Sequence, residues 1–231
     1  MQNKRIYSND LFDFSKKIMM HLNVPEKDAE VTSDNLVQSN LRGIDSHGVA
    51  RLTRYVNGVK SGYIIPDAQP EIAKDSAVLA NVDGHNGLGQ VIGYFSMELA
   101  IKKASEYGFG MVTAFNSNHY GFAGYFALMA LKKELIGVSM TNSAPLTVPT
   151  YGKNALIGTN PISVSAPAKK NRHWIMDFAT SVVPRGKLEV YNRLGEKLPK
   201  GWATDENGTI SDDPARVLNN LKNQYGGGIL P

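Results

Sequence analysis

Residues Phe109 to Thr141 read FGMVTAFNSNHYGFAGYFALMALKKELIGVSMT, and this stretch decides the class of fold. The apolar run Phe109–Phe115 has the length and composition of a buried strand. A polar cluster follows it, Asn116-Ser117-Asn118-His119-Tyr120-Gly121. Phe122–Lys133 then reads as a helix with small residues at its entry, and Ile136–Thr141 as a second strand. Strand, helix and strand in succession place the chain among the α/β proteins. A polar cluster at the strand-to-helix turn is where such proteins often carry binding groups.

Working outward, Leu88–Tyr107 has the pattern of a long amphipathic helix that stops at Gly108, a glycine C-cap. Before it, alternating residues predict paired strands over Glu71–Lys74 and Ala77–Val82, turning at Asp83-Gly84. The N-terminal stretch predicts helices over Ser8–Leu22 and Pro25–Arg42. The bridge Gly62–Pro70 is rich in Pro and Gly. It predicts a boundary between a helical segment, residues 1–66, and a sheet domain, residues 67–231. Towards the C-terminus, Ile162–Ala166 and His173–Phe178 read as strands, with a polar turn at Lys169–Arg172. Beyond Gly195 the chain is polar and turn-rich, with one short helix expected over Pro214–Leu221.

Composition narrows the function. The chain has 231 residues, 42% of them hydrophobic, enough for a sizeable core. Its net charge is +4 and its pI about 9.1. The basic residues are scattered among 21 acids without a like-charge block, which argues against a nucleic-acid surface. There is no cysteine, hence no disulfide framework and no thiolate nucleophile or metal ligand. No signal-like or membrane-length apolar segment occurs, so a soluble cytoplasmic protein is expected. No set of histidines and carboxylates has metal-ligand spacing, and no metal is expected.

The second informative stretch is Leu41–Tyr55, LRGIDSHGVARLTRY. It resembles a helix start with Asp45 or Ser46 as N-cap, placing His47 and Arg51 on one face with Tyr55 a turn further on. Alone, such a pair is an ordinary solvated face. With the second histidine-bearing turn, at His119, it suggests proton transfer on a small carboxylate-bearing substrate. The arginine would grip the carboxylate through two parallel hydrogen bonds, and its charge would favour a neutral, proton-accepting imidazole. His21, His85 and His173 lack such context and are expected at the surface. Asp83–Gly89 (DGHNGLG) is glycine-rich, but its spacing is not the Gly-x-Gly-x-x-Gly of a dinucleotide-binding turn.

LRGIDSHGVARL, NSNHYGFAGY, Thr141–Pro161 (TNSAPLTVPTYGKNALIGTNP) and Asp177–Tyr191 (DFATSVVPRGKLEVY) together resemble the type 2 malate/L-lactate dehydrogenase family. That group also includes ureidoglycolate, sulfolactate and diketogulonate oxidoreductases. The resemblance implies a non-Rossmann α/β architecture, with an N-terminal helical segment and a largely antiparallel sheet domain flanked by helices. It implies NAD or NADP as cofactor, a homodimer, and hydride transfer to or from a small 2-hydroxy or 2-oxo acid, malate or lactate foremost. Ureidoglycolate, sulfolactate, a diketo sugar acid or a cyclic imino acid are the alternatives. It assigns acid/base chemistry to His47 in some members and to His119 in others. We expect both in one pocket, with Ser46, Arg51 and Thr159 on the substrate side. Ser143, Gly158, Asn160, Asp177, Thr180 and Ser181 match the family's cofactor-binding positions. Members continue past the segment matching Gly228–Pro231, so roughly the last third of the family pattern is expected to be absent. A truncated, non-catalytic remnant is therefore the competing expectation.

Overall fold

The computed structural model describes residues 5–231, which form two compact units. The first holds residues 5–138 and Val164–Ile175. Its helices α1 (Ser8–His21), α2 (Glu26–Leu41) and α3 (Leu52–Lys60) lead into β1 (Glu71–Asp75), β2 (Leu79–Gly87), α4 (Gly89–Tyr107), β3 (Met111–Ser117) and α5 (Ala123–Met129). Pro25 sits at the N-cap of α2, where a missing N–H costs no helical bond. α4 ends at Gly108, whose φ of +81° is the left-handed C-cap conformation that glycine adopts without strain.

β2 pairs antiparallel with β1 and parallel with β3 in the sheet order β1-β2-β3. It runs on through the expected turn at Asp83-Gly84 and ends at Gly87. Its alternate residues Ala80, Val82 and Gly84 are buried, and Gly84 packs against Ile92 of α4. Parallel neighbours require a crossover, and α4 supplies it. The sequence suggested a different unit, from β3 through α5 to β4 (Gly137–Met140). All three elements form, but β3 and β4 belong to different sheets. Length explains this. A seven-residue strand such as β3 spans roughly 23 Å. The 19-residue α4 covers about 28 Å and can return along it, whereas the seven-residue α5 covers only about 10 Å.

β4, β5 (Ile162–Ala166) and β6 (Trp174–Phe178) make a second sheet in the order β4-β5-β6, and the division between the units falls within each of these strands. The fold is thus mixed α/β, but with three small sheets where one largely antiparallel sheet was expected. The core of the first unit joins Met19, Ala29 and Leu36 of the first two helices to Leu52 and Tyr55 of α3, and to Leu88 and Val91 at the head of α4. Because that core runs from the N-terminal helices into α4, the Gly62–Pro70 bridge lies inside one compact unit.

The second unit holds Ser139–Ser163 and Met176–Pro231. It contains α6 (Arg185–Leu194), β7 (Ala203–Thr204), β8 (Ile210–Ser211), α7 (Pro214–Asn223) and β9 (Gly228–Ile229). The third sheet is antiparallel throughout, in the order β8-β7-β9. Asp213 caps α7 by accepting the Ala215 and Arg216 N–H groups, with Pro214 following as the first helical residue. Val183, Leu188, Leu198, Ala203, Val217 and Ile229 form its core. Among the described residues no helix is long and apolar enough to cross a membrane.

Candidate active site

The Asp45–Arg51 segment does not start a regular helix. Two 3₁₀ turns, Asp45–His47 and Val49–Arg51, flank Gly48, and α3 begins only at Leu52, with neither Asp45 nor Ser46 as its cap. Asn40 of α2 is the reason. Its Nδ2 donates to the Asp45 carboxylate (2.5 Å) and its Oδ1 accepts the Val49 N–H (2.9 Å). Gly48 lies so close to that amide that a Cβ would collide with it. The folded-back segment lets the Arg51 Nε donate to the Ser46 carbonyl at 2.6 Å, and leaves the Ser46 hydroxyl 2.9 Å from His47 Nδ1.

His119 arrives from the β3–α5 connection. Asn118 pins this turn by donating to the carbonyls of Asn86 (2.9 Å) and Gly87 (3.0 Å). Gly89, the first residue of α4, abuts the carbonyls of Asn118 and His119 so closely that no side chain fits there. The turn brings the His119 ring over that of His47, with centroids 5.6 Å apart and planes 16° from parallel. Two histidines 72 positions apart in sequence therefore meet within one unit, and Arg51 is close enough to act on the charge of His119.

Two neighbours that sequence spacing did not put among the site residues complete the cluster. The fully buried Tyr55 hydroxyl lies 2.7 Å from His119 Nδ1. Arg54 contributes charge. Tyr55 follows Arg51 by four residues, so the helical period hinted at it. Its partner lies 64 positions away and no local pattern could name it.

Burial drives the His119 pKa down to about 3, helped by the nearby Arg54, His47 and Arg51. The ring is neutral at any physiological pH. Burial also raises the Tyr55 phenol well above its ordinary value, so it remains protonated. The Gly121 N–H also points to His119 Nδ1, at 3.4 Å. A ring nitrogen that faces a backbone N–H and a phenol O–H is the acceptor. From this network we assign the neutral ring its proton on Nε2.

The second unit carries the other expected residues. The blocks around Ser143, Thr159 and Thr180 meet through hydrogen bonds. The Thr159 N–H donates to Ser143 Oγ (2.9 Å), the Ser143 N–H to Asn160 Oδ1 (3.1 Å), and the Thr180 N–H and hydroxyl to the Thr159 carbonyl (2.8 and 3.1 Å). Gly158 is buried against the Ser143 carbonyl with no room for a Cβ. Ser181 bonds the Val183 carbonyl (3.0 Å), and Asp177 lies exposed in β6. Of the remaining histidines, His21, His85 and His173 are all exposed, His85 pairing with Glu71. Among the described residues no three histidine or carboxylate groups converge as a metal site.

Comparison with known proteins gives a consistent relationship. The family described as malate/L-lactate dehydrogenase matches residues 6–231. Malate dehydrogenase from Pyrococcus horikoshii is 49% identical over 227 residues, covering 98% of this chain and 61% of that protein. L-sulfolactate dehydrogenase from Methanocaldococcus jannaschii is 40% identical over 210 residues, covering 91% of this chain and 61% of that protein. The crystal structure of malate dehydrogenase from Entamoeba histolytica superposes with a TM-score of 0.96 at 34% identity, over 100% of this chain and 64% of that one. The chain thus spans about three fifths of the length of these relatives.

Proposed function

The chain belongs to the malate/L-lactate dehydrogenase family, and from that premise we propose that it interconverts a small 2-hydroxy acid and its 2-oxo acid with NAD or NADP. The observation that carries the reading is the stacked imidazole pair, with one ring held neutral and an arginine alongside. In reduction, His47 as imidazolium gives its proton to the carbonyl oxygen, and in oxidation it takes the proton back. His119 cannot share this role. Neutral, with hydrogen on Nε2, it would have to become an imidazolate to act as an acid, and its depressed pKa keeps it from acting as a base. Its Nε2–H instead donates to the substrate oxygen and stabilises the negative charge developing there. Arg51 binds the substrate carboxylate, and Ser46 orients His47.

The nicotinamide, when bound, supplies or accepts the hydride at the substrate carbon. The hydroxyls of Ser143, Thr180 and Ser181, the backbone amides around Gly158 and Asn160, and the Asp177 carboxylate suit the ribose hydroxyls and phosphates of a dinucleotide. They do so without a Gly-x-Gly-x-x-Gly turn, so the reading is of non-Rossmann binding, with residues 1–66 supplying His47 and Arg51 to the substrate and residues 67–231 supplying the cofactor positions together with His119. A cytoplasmic homodimer completes the proposal. Malate is the favoured substrate. The relatives named as sulfolactate dehydrogenases make sulfolactate the second candidate, since the same arginine and imidazoles serve any 2-hydroxy carboxylate.

Oxaloacetate, pyruvate and sulfopyruvate, each assayed for consumption of NADH and of NADPH, test the proposal. Turnover of one of them supports it. Absence of both turnover and calorimetric cofactor binding would leave only the non-catalytic reading.

A further inference from the structure

The glycine-rich stretch Asp83–Gly89 has the wrong spacing for a dinucleotide turn, and the proposed chemistry leaves it without a task. Its place in the sheet shows what it builds. In the parallel pairing of β2 with β3, Asp83 stands opposite Phe115 and Gly87 opposite Ser117. Gly84, His85 and Asn86 therefore face Asn116 alone, which makes a bulge of β2. His85, Asn86 and Asn116 all take positive φ (47°, 58° and 48°), conformations that residues with side chains enter at a cost. The partly buried Asp83 carboxylate holds them there. Its Oδ1 accepts the His85 N–H at 2.9 Å and the Asn116 Nδ2–H at 3.0 Å, tying the bulge to the neighbouring strand. The His85 bond foremost, then that of Asn116, hold this carboxyl below the usual carboxylate range, so it accepts both as an anion.

The carbonyls of Asn86 and Gly87, at the end of the bulge, are the ones that the Asn118 amide grips beside His119. The Asn86 carbonyl also accepts the Ile65 N–H at 2.9 Å. We propose that Asp83 is a positioning residue for His119: its carboxylate locks the β2 bulge to Asn116, and the locked bulge sets where Asn118 holds the histidine turn. His47 is carried by a separate segment, the one shaped by Asn40, so the 5.6 Å between the two rings depends on both supports. A shift of the His119 turn by about 1 Å would stretch the 2.7 Å contact between the Tyr55 hydroxyl and His119 Nδ1 beyond hydrogen-bonding range. Displacements of that size are enough to slow a reaction by up to about a hundredfold. Bulges beside active sites re-aim side chains in this way. The inference rests on the reading that His119 serves the substrate oxygen.

Nitrogen-15 spectra of labelled histidine and steady-state kinetics with a 2-oxo acid test it, on the unsubstituted chain, Asp83→Ala, Asp83→Asn, Asn116→Gly and the Asp83→Ala/Asn116→Gly pair. Asp83→Ala is expected to move the His119 ring signals and turn a single tautomer into a mixture, because the contact with Tyr55 loosens. It is expected to lower kcat roughly tenfold, with the KM for the nicotinamide cofactor within about twofold. Asp83→Asn keeps an oxygen where both N–H groups reach it, and should restore the signals and most of the rate. Asn116→Gly removes the second donor while leaving the left-handed backbone easy to adopt, and should move the same signals. It decides the matter should Asp83→Ala fail to fold. The pair should be no worse than the more damaging single variant, since both break one link. Unmoved His119 signals in Asp83→Ala and Asn116→Gly, with or without a fall in Tm, would overturn the inference. So would losses that add in the pair, or an Asp83→Asn no better than Asp83→Ala. Should the unsubstituted chain turn over no 2-oxo acid, the proposed function fails, while the spectra still decide what Asp83 does.

Discussion

The neutral state of His119 has consequences for stability as well as for chemistry. Its pKa is held near 3 in the folded chain against an ordinary 6.5. Between those values the unfolded chain takes up a proton that the folded chain refuses, so stability falls as pH drops below about 6.5. The charges acting on the ring, those of Arg54, His47 and Arg51, all push in the same direction, and the Tyr55 phenol beside it stays protonated. From pH 6.5 to about 5 the loss from this one group is about 2 kcal/mol at most. Urea midpoints at the two pH values should show it, and His119→Gln should remove most of it. Equal losses in both proteins would contradict the assigned burial. Arg51→Lys should mainly raise the KM for the acid substrate, by roughly tenfold, because an ammonium cannot reproduce two parallel hydrogen bonds; steady-state kinetics check this. His47, Arg51 and His119 stand out in the sequence by residue type and context, whereas Asn40 does not. Its part in shaping the segment comes from the Asp45 and Val49 partners that folding brings to it, which spacing cannot carry.

Among the elements, the ones that were legible have a strong period or a strong cap. α4 was visible in its apolar repeat and its closing glycine, and α7 as the short helix opening at Pro214. The elements that were not legible are short. β7, β8 and β9 have two residues each, too few to alternate. α6 buries only Gly186 and Leu188 within a polar run. The 3₁₀ turns around His47 follow from Asn40, a contact across nine residues that outweighs local helix propensity. Element packing also explains Gly89, where the His119 turn rests directly on the head of α4. Gly89→Ala should displace that turn, cost about 1–3 kcal/mol of stability, and lower turnover more than it alters cofactor affinity. Thermal melting and calorimetry would separate these effects, and a variant with native stability would refute the contact.

For the molecule as a whole, apolar strand residues remain at the surface. Leu79, Met111 and Phe115 of the first sheet are 49%, 48% and 41% exposed. Exposed apolar patches of this kind mark surfaces that are covered by association. The proposed homodimer predicts that the chain sediments as a dimer at micromolar concentration, and that Met111→Lys shifts it towards monomer. A monomer at every concentration would contradict that assembly. The class of fold was readable from the run of strands and helices, but the division into three sheets was not. Which strand pairs with which depends on the lengths of the crossing helices and on long-range register, and no single segment records either.

In the proposed mechanism labour is divided: His47 moves the proton, and His119, kept neutral, steadies the oxygen. The most direct test is the pH dependence of kcat/KM for 2-oxo acid reduction in the unsubstituted chain, in His47→Asn and in His119→Asn. The imidazole ionisation governing the rate is expected to vanish in His47→Asn, with a loss of about 10² to 10⁴ in rate. The same ionisation is expected to persist in His119→Asn, on a lowered plateau. An ionisation that survives the loss of His47 and disappears with His119 would contradict this division.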